Sequence, residues 1–319
     1  MKRKLVIDAD PGIGDALAIA MAIRDPDFDL IGVTAVPGCV SGEMALLNAQ
    51  AVVSLLDPPL WPRLGVTDGR ACNFPREAGM VEPVFLHGET GLGDVNVPAV
   101  ELHHRIDAAK LLAEIVRENP GQVTLLTLGP LTNVMLAADR SPDFLMNLKE
   151  LVVCGGAMGV SGNVTAAAEF NIYCDPAAAE GILSAPCTKT IAPLDVTTRV
   201  VLSFDQYDRL KIDGTTRLGR LIEQTAPFAL RAHRKHLGQE GWPLSEAVAL
   251  ASIARPRLFE RRRLPVAVEQ QGRLTTGMTI FDRRKKAPPS TSIDVLTSVD
   301  TQGVLDYLAE HLKEARGVG

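Results

Sequence analysis

Short β-branched or Leu-rich runs alternate along the chain with Ala- and Leu-rich stretches of helical period. KLVIDAD is followed by GDALAIAMAIR, LIGVTAV by EMALLNAQAVVSLL, and VTLLTLG by LTNVMLAADR. ELVVCGG, a polar loop, DPAAAEGIL and TKTIAPLDV continue the rhythm. Near-continuous apolar runs of this length read as strands buried on both faces, with the helical stretches as their crossovers. The pattern therefore predicts an α/β fold with a mainly parallel sheet covered by helices on both faces. After Pro256 the rhythm changes. LPVAVEQQG and RLTTGMTIFD read as an antiparallel pair, SIDVLTSVD as a further strand, and Val304 to Glu314 as a closing helix. No Ser/Pro/Gly-rich linker or repeat interrupts the chain, so one α/β domain over residues 1–319 with a C-terminal antiparallel extension is expected.

Composition narrows the class. With 46% hydrophobic and 22% charged residues, the 319-residue chain can bury a sizeable core, which excludes disorder and coiled coil. A formal charge of -5 argues against a nucleic-acid partner held by phosphate neutralisation. The basic runs Arg261 to Arg263 and Arg283 to Lys286 are bounded by apolar residues and read as solvated strand ends. Asp8 and Asp10 interrupt the first apolar run too early for a secretory h-region, and the other apolar runs are too short or broken to span a membrane. The five cysteines, Cys39, Cys72, Cys154, Cys174 and Cys187, are scattered without any CxxC spacing, as in a reduced cytoplasmic protein.

Ligands of open parallel sheets collect at the carboxyl ends of the strands, and four such places carry chemistry. In DADPGIGDALAI, Asp10 ends a strand and Asp15 opens a helix, bringing two hard oxygen donors to one corner; taken in isolation, Asp15 as helix cap and Asp10 in an Asp-Pro-Gly turn is the better reading. HGETGLGD, from His87 to Asp94, is a glycine-dense loop with one histidine and two acids. In VTLLTLGPLTN, the Leu128 carbonyl lies at a strand end where it could face a metal, and Thr132 is placed to cap the next helix. GGAMGVSGNVTAAAEFNIYCDP is a long polar loop in which Asn163, Glu169 and Asn171 lie without regular structure to account for them. Asp175-Pro176 reads as the N-cap and first-turn proline of the following helix.

Together DADPGIGDALAI, GVTAVPG with the following NA, HGETGLGD, TLGPLTN and above all GNVTAAAEFNIYCDPAAA resemble the nucleoside hydrolases, the inosine-uridine preferring N-ribohydrolases. The resemblance runs in order over nearly the whole chain. It implies a Rossmann-like sheet of the nucleoside hydrolase fold, a bound Ca²⁺, and hydrolysis of the bond between ribose and a nucleobase in a small nucleoside-like substrate. It further implies a homodimer or homotetramer. By the same resemblance Asp10 is metal ligand and general base, Asp15 a second ligand, the Leu128 main-chain carbonyl a third and Glu246 a fourth. Asn163, Glu169 and Asn171 would hold ribose hydroxyls, with Phe170 beside the sugar or base and His87 lining the base side.

The chain departs from the family pattern at four positions. Gly14 stands where the family usually has the first of two adjacent aspartates, and Cys39 where it has an asparagine, which removes two polar groups expected near the ribose 2′-hydroxyl. Altered sugar recognition follows as an expectation. Ser245-Glu246 replaces a His-Asp pair, which takes away the usual leaving-group acid and moves the metal-facing carboxylate by about 1.5 Å, one C–C bond. His233, Arg234 or His236 could replace that acid, although their spacing is equally that of a solvated helix face. A non-catalytic nucleoside- or sugar-binding relative is the alternative reading. A phosphatase-like use of Asp8 and Asp10 is a weaker third, since Pro-Gly follows and no matching Lys and acidic motifs appear.

Overall fold

The computed structural model describes residues 2–70, 72, 81–95, 105–284 and 292–312. Its strands are β1 (Arg3–Ala9), β2 (Phe28–Ala35), β3 (Arg63–Val66), β4 (Val123–Thr127), β5 (Glu150–Cys154), β6 (Lys189–Ala192), β7 (Val201–Ser203), β8 (Gly241–Pro243), β9 (Phe259–Val268), β10 (Thr279–Phe281) and β11 (Ser292–Val299). Nine of them form one sheet in the order β10-β9-β11-β6-β5-β4-β1-β2-β3. From β11 to β3 every neighbouring pair is parallel, while β9 runs antiparallel to both β11 and β10. β7 and β8 make a separate antiparallel pair.

Both faces are covered, as the apolar runs require. One apolar layer packs the helices Ile13–Arg24, Gly42–Leu56, Arg217–Ala232, Ser245–Ala254 and Thr301–Leu312 on the sheet. The other layer holds Ala108–Glu118, Thr132–Arg140 and Pro176–Ser184. No helix of the described residues is long and apolar enough to cross a membrane.

The strand order reverses at β1, whose neighbours β2 and β4 lead to opposite edges. A crevice opens at the carboxyl ends on either side of such a reversal, and here it lies beside Asp10 after β1 and Leu128 after β4. Inside β1, Asp8 is fully buried and accepts hydrogen bonds from Thr34 Oγ1 at 2.5 Å and Asn133 Nδ2 at 2.7 Å. Its carboxylate ties β1 to β2 and to the helix after β4, which removes it as a phosphatase nucleophile.

Several local expectations are corrected. Arg261 to Arg263 lie within β9 rather than at a strand end, where Arg261 reaches Thr190 Oγ1 at 3.2 Å. Arg283 and Arg284 follow β10, whereas Lys285, Lys286 and the residues of the closing helix beyond Leu312 lie outside the described residues. Leu131, not Thr132, occupies the N-cap before Thr132–Arg140; the Thr132 hydroxyl donates to Asp175 instead. Asp175 does cap its helix, accepting from the Ala178 N–H at 3.0 Å. Cys72 and Cys174, 102 residues apart, form a disulfide, so only Cys39, Cys154 and Cys187 carry free thiols.

Candidate active site

A cavity of about 500 Å³ sits over the β1/β4 crevice, and its walls include Asp10, Asp15, His87, Leu128, Asn163, Glu169, Phe170, Asn171 and Glu246. The residues expected to hold the metal and the substrate are therefore all at this cavity, whereas Arg234 and His236 are not among its lining. The volume suits a small organic ligand.

Asp10 is 3% exposed at the cavity floor, and its Oδ2 accepts the Cys39 backbone N–H at 2.6 Å. It fits only because its neighbours are small: a Cβ at Gly129 would lie 2.6 Å from Asp10 Oδ1, and one at Gly38 2.5 Å from its Cγ. Asp15 is the third residue of its helix. Its Oδ2 reaches back to the Gly12 N–H at 2.9 Å, which stabilises the first turn, while its buried Oδ1 has no hydrogen-bond partner. Glu246 comes from the start of the helix after β8. Burial pushes all three carboxyls above their ordinary values, reinforced by Glu246 at Asp10, by Asp10 and Glu246 at Asp15, and by Glu169 at Glu246. Crowded carboxylates that burial drives toward the neutral form, one with an orphaned oxygen, are a donor set that a hard divalent cation would satisfy.

The loop after β5 is more regular than its sequence suggests. Glu169 caps a five-residue helix, Phe170–Cys174, with Oε2 accepting the Ile172 and Gly156 N–H groups, each at 3.1 Å. Asn171 sits inside that helix, its Nδ2 donating to the Leu128 carbonyl at 2.6 Å and to the Cys154 carbonyl at 3.0 Å. Asn163 Oδ1 accepts the Phe170 N–H at 2.8 Å, and Phe170 is half-buried at the cavity wall. Asp195 pins the loop through the Met158 and Gly159 N–H groups at 2.7 and 2.8 Å.

Beside the turn that opens the first helix, His87 ends the helix Pro83–His87, and its Nδ1 accepts the Ile13 N–H at 3.3 Å. That bond assigns the neutral tautomer with hydrogen on Nε2. Enclosure of the ring, together with the charge of His233, lowers the His87 pKa to about 4, so near neutrality it is a hydrogen-bond donor rather than a proton reservoir.

His233 is the residue the spacing argument undervalued. It begins a π-helical turn, His233–Leu237, is 9% exposed, and lines the cavity. Its Nδ1 donates to the Ala229 carbonyl at 2.9 Å, which leaves Nε2 as the ring atom for a ligand. His236 instead stacks on Phe85, with ring centroids 5.0 Å apart, and Arg234 is exposed. Trp242, 4% exposed, packs in the core and also forms part of the wall. π-Turns commonly mark functional sites, but five residues carry no periodic signal by which to find one.

Known proteins share both sequence and fold. A family model described as inosine-uridine preferring nucleoside hydrolase matches residues 5–306. Uridine nucleosidase 1 of Arabidopsis thaliana is 36% identical, covering 97% of this chain and 93% of its own. The pyrimidine-specific ribonucleoside hydrolase RihA of Escherichia coli O9:H4 (strain HS) is 33% identical over 98% of this chain and 99% of its own. A purine-preferring ribonucleoside hydrolase from Gardnerella vaginalis superposes with a TM-score of 0.88 at 26% identity, covering 97% of this chain and 98% of its own. With the parallel sheet, the crevice beside Asp10 and a match of this extent, the chain belongs to the inosine-uridine preferring nucleoside hydrolase family.

Proposed function

We propose that this enzyme, a glycosidase that hydrolyses N-glycosyl compounds, acts on a ribonucleoside through Asp10 as general base. Water gives a proton to the Asp10 carboxylate as its oxygen adds to C1′. The C1′–N bond breaks, and the departing nitrogen takes the Nε2 proton of doubly protonated His233, which burial makes a ready donor and which solvent then reprotonates. The observation that carries this reading is that Asp10, Asp15, Glu246, His87, His233, Asn163, Glu169 and Asn171 all line one cavity.

The residues divide the work. Asp10 holds the proton taken from water. Asn171, its amide committed to two carbonyls, turns Oδ1 to a sugar hydroxyl, and Glu169 offers its remaining oxygen beside it. Phe170 covers an apolar face and helps exclude bulk water. His87 donates Nε2–H to the base, and His233 Nε2 is the group placed to manage the proton on the leaving nitrogen. Serine at 245 has no suitable pKa for that task.

Metal dependence is general in this family. Asp10, Asp15, Glu246 and the second lone pair of the Leu128 carbonyl are proposed to hold Ca²⁺, which accepts irregular oxygen sets. Among the described residues no group of three or more His, Cys, Asp or Glu side chains is arranged to hold a metal ion, so the support for this site is the burial and crowding of these carboxyls and the unpartnered Asp15 Oδ1. Bound there, the ion would orient the sugar diol and make the attacking water more acidic.

Uridine is the first substrate to try, given the two relatives named for uridine and pyrimidine nucleosides. Release of reducing sugar from a purine and pyrimidine nucleoside panel, with Ca²⁺ and after chelation, tests the reading; no release from any of them would overturn it. The non-catalytic alternative finds no support among relatives named for hydrolysis. Assembly as a homodimer or homotetramer, and residence in the cytoplasm, complete the proposal. Sizing chromatography tests the first. Thiol titration of protein isolated without reductant tests the second, since an intact Cys72–Cys174 disulfide speaks for an oxidising compartment.

A further inference from the structure

Gly14 is the second residue of its helix and does not have a left-handed φ. Glycine there is not demanded by the backbone, and within a helix it is less favourable than alanine. What it provides is space. A Cβ at position 14 would overlap Glu246 Oε2, lie 2.5 Å from Glu246 Cδ and 3.0 Å from Oε1. All three nearest atoms belong to one carboxylate, which has crossed the cavity from a helix 232 positions later to sit over the first turn beginning at Ile13. A negative group is favoured at a helix N-terminus. Aspartate at 246 would stop about 1.5 Å short and leave the space over Gly14 unfilled. The space a side chain at 14 would take is occupied by the Glu246 carboxylate.

We propose that Gly14 and Glu246 are one reciprocal unit, in which the Glu246 carboxylate seated over Gly14 is the specificity-determining group for the sugar 2′-hydroxyl, in place of a carboxylate carried by position 14. Both residues line the cavity, so the carboxylate that covers Gly14 also faces the ligand. The unit links the two departures: a side chain at 14 would push the Glu246 carboxylate off the turn, and aspartate at 246 would not reach it. The assignment to the sugar rests on the nucleosidase reading, whereas the reciprocity rests on geometry alone.

The experiment is a mutant cycle of Gly14→Ala, Glu246→Asp and the double variant, with Gly14→Asp/Glu246→Asp alongside. Three quantities are read: melting temperature of the metal-free proteins, Ca²⁺ affinity by calorimetry, and kcat/KM for uridine against 2′-deoxyuridine. Wild type should prefer uridine by roughly 10- to 150-fold, as expected for a hydrogen bond to a charged group. Glu246→Asp should bring that ratio toward unity, and Gly14→Asp/Glu246→Asp should restore it. Gly14→Ala should lower melting temperature and Ca²⁺ affinity in the wild-type background but not in Glu246→Asp; folding of the double variant where Gly14→Ala alone fails would support the unit equally. Additive effects overturn the proposal, as does coupling that leaves the sugar ratio unchanged, or failure of both alanine variants to fold. If the wild type releases no sugar from any nucleoside, the nucleosidase reading falls, and the melting and Ca²⁺ cycle alone decides the reciprocity.

Discussion

Asn171 donates its side-chain amide to the Leu128 carbonyl at 2.6 Å, tying the short helix after the β5 loop to the end of β4. The bond makes one residue both a proposed sugar contact and the support of a proposed metal ligand. Asn171→Ala leaves two buried carbonyls without this donor and should cost about 1–3 kcal/mol of stability. It should also raise KM for uridine about tenfold or more and weaken Ca²⁺ binding, as chemical denaturation, steady-state kinetics and calorimetry would show. Unchanged Ca²⁺ affinity would separate Leu128 from the metal.

Asp10→Asn removes the proposed base. Turnover should fall roughly 10²- to 10⁴-fold. The metal-free protein should nevertheless become more stable near neutral pH, because one of three mutually repelling carboxyls is gone. The pH dependence follows from the sign of the shifts. The folded-state values of Asp10 and Glu246 are raised to about 7, from ordinary values of 3.8 and 4.5. The folded state therefore holds more protons than the unfolded one between those limits, and stability of the metal-free protein falls as pH rises through that window. Thermal melts from pH 5 to pH 8 should show this loss, and Ca²⁺ should suppress it.

His233→Ala should lower kcat for uridine by about 10- to 100-fold through loss of leaving-group protonation. A riboside whose leaving group departs without a proton, such as a nitrophenolate, should be almost unaffected. Equal losses on both substrates would make His233 a wall residue only. His87→Ala should act mainly on KM, since a ring whose pKa lies near 4 enters the reaction as a donor of a neutral hydrogen bond.

Far from the cavity, Asp25 ends the first helix and accepts Tyr307 Oη–H at 2.8 Å and the Asp27 N–H at 2.9 Å, with His311 Nε2 at 3.6 Å. Burial alone would raise this carboxyl. The bonds from His311, Asp27 and Tyr307, with the charge of His311, outweigh it and hold the pKa at about 2. Its contribution is complete above the ordinary 3.8 and is lost as pH falls from there toward 2, about 2 kcal/mol in all. Urea unfolding between pH 2 and pH 6 should show that acid limb, and Asp25→Asn should flatten it.

The sheet and the corner at Asp10 were readable because strand, turn and helix follow one another within DADPGIGDALAI, and local order suffices to place them. The antiparallel pair after Pro256 was readable for the same reason. What escaped depends on distance along the chain. Glu246 over Gly14, Cys72 beside Cys174 and His233 turned into the cavity are products of tertiary packing that no short window contains. The helix Phe170–Cys174 is too brief for a 3.6-residue period to show, so it read as loop.

The nine-stranded sheet ends at β10, three residues long, and at β3, four residues long. Neither border is left wholly bare: Val66 bridges to Asp107 beyond β3, and Met278, beside β10, bridges to Ala168. Stubs so short and partly shielded are poor templates for a foreign strand, which protects a large apolar sheet from growing by accretion. Any association between copies of this enzyme is thereby steered away from sheet continuation and toward the helical flanks and loops, where contact can be made and released without disturbing the hydrogen-bonded frame that carries Asp10.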